Sequence, residues 1–306
     1  YAKINKIDIS QAKNHEGVKA VLTAKDIPHN GFGDDKQIQV IADKNTFYIG
    51  DIIAMVAAET PKQAAKAVEM IKVEYEKLPG VYNSFDASQN EILVHEDLNS
   101  NLLTHHLLEK GDIKDGFESS DVILEREYDT QFIEQAYMEP EAVIAVPYQD
   151  NSTVTLYGSF QNPSETHKAV SEVLKEELSK IRIVQNHIGG SFGGKEQIMY
   201  TLAARVAVLA LTTERPVKLV NSRDHSIIES HKRHPYHMHY KIGATQDGKI
   251  TAMEIKSTTE SGPYGCHTSA VTLRSLIQGT GPYEVENVKT DTYGYYTNNV
   301  YTGAMR

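Results

Sequence analysis

Apolar and polar positions alternate around Ile4, Ile7 and Ile9, the pattern of a half-buried strand. Val18 to Leu22 is a short apolar run that breaks at Ala24-Lys25-Asp26-Ile27-Pro28. Asn30 to Asp35 gathers glycine, asparagine and aspartate and predicts a loop. Phe47 to Ala58 predicts a hairpin turning at Gly50-Asp51, and Pro61 opens a helix, since proline is tolerated in the first turn. That helix carries Ala64, Ala65, Ala67 and Val68 before a strand returns over Ile71 to Tyr75. Together these elements predict a first α/β unit over residues 1–85.

Residues 86–120 show little apolar periodicity and predict a polar connector. Strand patterns resume around Val122 and Leu124, over Ala142 to Val146 and over Val154 to Tyr157. Asn162-Pro163-Ser164 predicts a capped helix start, because a short polar side chain can accept from the orphan amides of the first turn; the helix is expected to reach Leu178. Ile181 to Val184 is expected as a strand, Glu196 to Leu211 as a long apolar helix and Val217 to Val220 as a strand. His237 to Ile242 and Ile250 to Ile255 predict a hairpin across Asp247-Gly248, a tight-turn pair.

Composition limits the function. The chain has 306 residues and a formal net charge of -10, which argues against a nucleic-acid binder, whose phosphate contacts need a basic face. The basic run His231-Lys232-Arg233-His234 is short and does not change this. No stretch approaches the roughly 20 apolar residues that span a bilayer, and no signal-peptide pattern opens the chain. The single cysteine, Cys266, predicts a packed thiol in a reducing, cytoplasmic setting and excludes a disulfide framework or a thiolate metal cluster held by this chain alone. His237 and His239 share one strand face with His234 nearby, but no third ligand is evident, so surface and hairpin packing is the expectation there, as for His105-His106.

The chemistry concentrates in His187-Ile188-Gly189-Gly190-Ser191-Phe192-Gly193-Gly194-Lys195-Glu196, between a predicted strand and a predicted helix. Glycines let backbone amides approach a ligand, and a helix start adds orphan N–H groups and the positive dipole end. That combination suits a phosphate or pyrophosphate. Lys195 is followed by Glu196, so the G-x-x-x-x-G-K-S/T spacing of a P-loop fails, and the G-x-G-x-x-G of a dinucleotide site is absent. On spacing alone a structural glycine turn remains the alternative.

Gly189 to Glu196 resembles the G-G-x-F-G-G-K-E signature of the molybdenum hydroxylases, the xanthine dehydrogenase and aldehyde oxidase family. Tyr137-Met138-Glu139-Pro140-Glu141 resembles the family's Y-L/M-E-P-E segment, Gln161-Asn162-Pro163 its Q-x-P segment, and Thr302-Gly303-Ala304-Met305-Arg306 the start of A-F/M-R-G-F-G. Residues 1–85 resemble its hammerhead domain. The fold this implies is α+β: a small α/β hammerhead domain, the connector over 86–120, and over 121–306 the N-terminal part of a mixed α/β molybdopterin-binding domain.

The resemblance implies a molybdopterin-type molybdenum cofactor bound by Gln161, Gly190, Ser191, Phe192, Gly193, Gly194 and Arg306. Of these, Gln161, Phe192 and Arg306 are implied as neighbours of the molybdenum centre rather than direct ligands. Glu196 matches a substrate-facing glutamate of the purine hydroxylases, and Arg274 falls where those enzymes hold a substrate-binding arginine. An acid facing a base across a flat ring favours a purine such as xanthine or hypoxanthine over an aldehyde. The implied reaction is hydroxylation with water as oxygen source, the electrons leaving to an Fe–S subunit and an FAD subunit. The family's catalytic glutamate belongs to a later G-x-G-E segment, so the chain is expected to be a front portion, inactive alone and completed by a remaining C-terminal part or chain. Nicotinate or another N-heterocycle, an aldehyde substrate, or a non-catalytic anion-binding module are the alternatives.

Overall fold

The computed structural model describes residues 1–33 and 38–306. The chain divides into two compact units, one of Tyr1–Pro79, Glu134–His231 and Met305–Arg306, the other of Gly80–Ile133 and Lys232–Ala304. No helix among the described residues is long and apolar enough to cross a membrane.

In the first unit, Ala2–Asp8 runs antiparallel between Asn45–Thr46 and Lys72–Lys77. Val18–Leu22 pairs antiparallel with Met55–Ala58. Helix Pro61–Val68 starts as predicted, Thr60 accepting from the Gln63 amide at 3.3 Å with proline in the first turn. Its Ala67 packs with Ala12 and Val21 in a small core. The predicted Phe47–Ala58 hairpin does not form. A local turn exists, with the Phe47 amide donating to the Asp51 carboxylate at 2.6 Å, but the strands on either side pair with Ala2–Asp8 and Val18–Leu22 instead. Alternation marks a strand and leaves its partner open. Of the predicted loop at 30–35, Asp34 and Asp35 lie outside the described residues.

The same unit holds a four-stranded sheet in the order Ile181–Gln185, Val154–Gly158, Ala142–Pro147, Val217–Val220. The first two strands are parallel, so a crossover must join them, and helix Pro163–Leu174 is that crossover. Asn162 caps it, accepting from the Glu165 amide at 3.4 Å. It stops at Leu174 rather than Leu178 because Lys175 turns left-handed, with φ 55°. Helix Gln197–Thr213 follows; residues 197–210 are all buried, as an all-round apolar helix must be. Glu196 stands before its first turn as the capping position rather than inside it.

The second unit is built on a five-stranded sheet in the order Leu102–Lys110, Asn287–Tyr296, Ile250–Gly262, Tyr236–Ala244, Val122–Asp129. The predicted hairpin is present and longer than expected, from Tyr236↔Thr259 to Ala244↔Ile250. Met253, Ile255, Val285 and Val288 form the core on one side. The stretch read as a connector is regular: it contains most of helix Ser84–Gln89, strand Leu102–Lys110 and helix Ile113–Glu118. Histidines and charges hid that strand, and they are bonded across the sheet: His105 meets Asp291 at 2.6 Å and stacks on Tyr293 at 4.3 Å. His237 and His239 likewise meet Asp129 and Glu125, each at 2.8 Å.

His234 is 2% exposed and bonds Thr268 Oγ1 at 3.0 Å. Burial lowers its pKa from 6.5 to about 4. Between those values the unfolded chain takes up a proton that the folded one refuses, so stability is full above 6.5 and falls as pH drops towards 4. Urea denaturation at pH 7 and pH 5 should show about 2 kcal/mol of loss from this group. A His234→Gln variant should lack that part of the acid slope; an unchanged slope rejects the assignment.

Candidate cofactor site

Parallel pairing decides where the site lies. Gly158 sits opposite Gln185, so the two strands end at one edge of the sheet, where open parallel sheets hold their ligands. The segment leaving the first strand carries Gln161. The segment leaving the second is the glycine turn, which feeds helix Gln197–Thr213. The turn needs its glycines. Gly190 and Gly193 have φ of 92° and 94°, where a side chain is strained. A Cβ on Gly189 would lie 2.6 Å from Glu139 Oε2, and one on Gly194 would lie 2.5 Å from Tyr137 Cε1. Phe192 itself has φ 53°, and its side chain is exposed.

Gln161 is the hub. Its Oε1 accepts from the Ser191 hydroxyl and from the Gly193 amide at 3.0 Å, and its Nε2 donates to Glu196 Oε1 at 2.9 Å. The Arg306 guanidinium donates to that same glutamate oxygen, while the Arg306 amide donates to Phe192 O at 3.0 Å. Glu196 is 1% exposed. Gln161, Ser191, Phe192, Gly193, Glu196 and Arg306 are thus in one bonded network, with Gly190 and Gly194 in the turn between them. Arg274 belongs to the second unit, on the exposed face of helix Thr268–Gln278, and donates to Ala270 O at 2.9 Å.

The glycine turn spends part of its amides on its own structure. Gly189 donates to Glu139 Oε2 at 3.1 Å, Gly193 to Gln161 and Gly194 to Ser191 O at 2.7 Å. Internal bonds hold the turn open against collapse, so only Gly190, Ser191 and Phe192 have amides without a partner among the described residues.

Four further groups had no role assigned from the sequence. Lys195 is fully buried, with Nζ 2.6 Å from Glu139 Oε1 and 4.9 Å from the Tyr137 ring centroid, so it sits beneath the turn. Arg223 donates to Tyr137 O at 2.5 Å and Met138 O at 3.1 Å. Tyr200, one helical turn after Glu196, is 7% exposed; burial, then the nearby Glu196 charge, push its pKa up. Glu141 is fully buried, accepts from Asn221 at 3.1 Å and Ser226 at 3.2 Å, and burial raises its pKa too. The 137–141 motif and the i+4 spacing of Tyr200 were visible signals; nothing local marks Arg223.

The residues fit a phosphorylated cofactor. The outer turn has no Cβ at Gly190 and keeps unpartnered amides, and the start of a 17-residue helix adds its dipole. Comparison with known proteins points the same way. Residues 94–306 match the molybdopterin cofactor-binding domain, and residues 1–79 match the aldehyde oxidase and xanthine dehydrogenase a/b hammerhead domain. The whole chain is 37% identical to the nicotinate dehydrogenase large molybdopterin subunit of Eubacterium barkeri, covering 72% of it. It is 35% identical to a probable xanthine dehydrogenase component of Bacillus subtilis, covering 41% of that protein. The aldehyde oxidoreductase of Desulfovibrio gigas superposes with a TM-score of 0.91 at 27% identity over the whole chain, which spans 35% of that enzyme.

Proposed function

Since the chain belongs to the molybdopterin-binding aldehyde oxidase and xanthine dehydrogenase family, we propose that it is part of a molybdenum hydroxylase that oxidises an N-heterocycle, with a purine as the first choice. The observation that carries this reading is the network joining Gln161, Ser191, Glu196 and Arg306 at the ends of two parallel strands. The bound cofactor supplies the oxygen-transfer and two-electron chemistry. The chain's residues position it. The unpartnered amides of Gly190 to Phe192 would hold an anionic group, Gln161 would offer its second amide hydrogen to the metal centre, and Arg306 would supply positive charge. Glu196 aligns both of these donors and offers a carboxylate to a ring nitrogen or carbonyl of the substrate. Electrons pass to Fe–S and FAD partner chains in a cytoplasmic complex.

A second reading, oxidation of nicotinate or a related heterocycle, is favoured by the match over 72% of a nicotinate dehydrogenase subunit. It is also favoured by Glu196 being engaged with Gln161 and Arg306. The native complex, checked for molybdenum by elemental analysis and for flavin and iron–sulfur chains, should be assayed with xanthine, nicotinate and benzaldehyde. On the purine reading, Glu196→Ala lowers kcat/KM for xanthine, expressed per molybdenum bound, at least 100-fold. Xanthine turnover unimpaired by the substitution removes the purine assignment. Turnover of nicotinate alone selects the second reading.

A further inference from the structure

One carboxylate holds both ends of the glycine turn. Glu139 Oε2 accepts from the Gly189 amide at 3.1 Å, where the turn begins. Glu139 Oε1 accepts from Lys195 Nζ at 2.6 Å, where it ends. The two positions differ sharply in exposure: the Lys195 side chain is fully buried and that of Glu139 is 40% exposed. Among the described residues, Glu139 is the carboxylate within ion-pair reach of this ammonium. The Tyr137 ring, itself 1% exposed, lies 4.9 Å from the ammonium and offers only a quadrupole.

A desolvated ammonium without a counter-charge is unstable and must either lose its proton or find water. Water is reached only if Lys195 moves. Lys195 cannot move alone, because its carbonyl accepts from the Gln161 amide at 3.1 Å and its own amide donates to Ser191 Oγ at 3.1 Å. Losing the carboxylate therefore disturbs Ser191 and Gln161 together, and with them the unpartnered amides of Gly190 to Phe192. Gly189 must be glycine for the same reason: a Cβ there would occupy the place of the Glu139 carboxylate.

We propose that Glu139 is a positioning residue that clamps the turn at Gly189 and Lys195 and so sets the cofactor-facing amides of Gly190 to Phe192 without itself meeting the cofactor. This rests on the cofactor-site reading given above. Burial pushes the Glu139 carboxyl pKa up, but the hydrogen bonds from Lys195, Ser159 and Gly189 outweigh it and hold the pKa below the usual carboxylate value, which keeps the clamp charged at neutral pH.

The test uses the assembled native complex, its Glu139→Gln variant, and the charge-balanced pair Glu139→Gln with Lys195→Met. Hydrogen exchange is followed in peptides spanning residues 187–196, with molybdenum retained after dialysis and melting temperature measured in parallel. For Glu139→Gln the expected result is at least tenfold faster exchange in that turn and at least tenfold less retained molybdenum. The paired variant should recover most of both losses, which a general loss of stability would not allow. Native exchange and retention in Glu139→Gln overturn the proposal, as does a paired variant no better than the single one. If Glu139→Gln fails to accumulate, Glu139→Asp carries the test, since it keeps the charge but shortens the reach. Faster turn exchange at an unchanged melting temperature supports the clamp, and native exchange rejects it. Should the native complex contain no molybdenum, the cofactor reading fails, while the exchange measurements still judge the clamp.

Discussion

Replacing Arg205 with leucine should destabilise the first unit by about 4 kcal/mol, the scale for removing one partner of a buried ion pair. Arg205 sits in the middle of a helix whose residues 197–210 are all buried. It is tolerated there because its charge and its Nε are both answered. Its Nε donates to Val40 O at 2.7 Å and its Nη1 to Glu229 Oε1, with side-chain exposures of 6% and 7% for the two charged partners. Tyr48 donates to Glu229 O at 3.1 Å, so the hammerhead segment, the buried helix and helix Arg223–Glu229 meet at one polar point. Leucine would fill much of the space but leave the Glu229 carboxylate without its counter-charge and Val40 O without this donor. Equilibrium urea denaturation measures the loss. A paired Arg205→Met, Glu229→Gln variant should regain at least half of it, because the uncompensated charge is then gone. A single-variant loss under 1 kcal/mol, or no recovery in the pair, would show that solvent reaches this site.

Gly194→Val should lower retention of the molybdenum cofactor about 100-fold, equivalent to about 3 kcal/mol, at the upper end of the cost of overpacking. The Cβ would lie 2.5 Å from Tyr137 Cε1 and 3.1 Å from Ser191 O. The ring cannot swing aside: it is 1% exposed and has Lys195 and Arg223 against it, at 4.9 Å and 6.0 Å from its centroid. The backbone must yield instead, which pulls the Gly194 amide off Ser191 O and shifts Ser191 away from Gln161. Molybdenum analysis after dialysis of the assembled complex reads the effect. A Gly194→Val, Tyr137→Ala pair should recover part of the retention, because it removes the colliding ring. Native retention in Gly194→Val would mean that the turn does not carry the cofactor.

Local signals were legible where a short stretch determines its own conformation. The Asn162 cap, Pro61 in a first turn, the Asp247-Gly248 hairpin and the apolar helix after the glycine turn all depend on neighbours within a few residues, and all appear in the fold. The helix that overran, and the hairpin at Phe47 that did not form, failed at the next level. A left-handed Lys175 ended the first, and non-local strand partners replaced the second. Strand Leu102–Lys110 was invisible because its polar positions find their partners on Asn287–Tyr296, far along the chain.

The candidate site divides the same way. The order of residues by itself determined that a side-chain-poor turn lies between a strand and a helix, and its resemblance to a known signature named its neighbours. Tertiary structure alone decided that Glu139 reaches Lys195 across 56 residues, that Arg306 reaches Glu196 across 110, and which turn amides stay unpartnered. The reason is physical. A dihedral preference acts over a few bonds, whereas a buried charge must find its counter-charge wherever the folded chain brings one within hydrogen-bond reach.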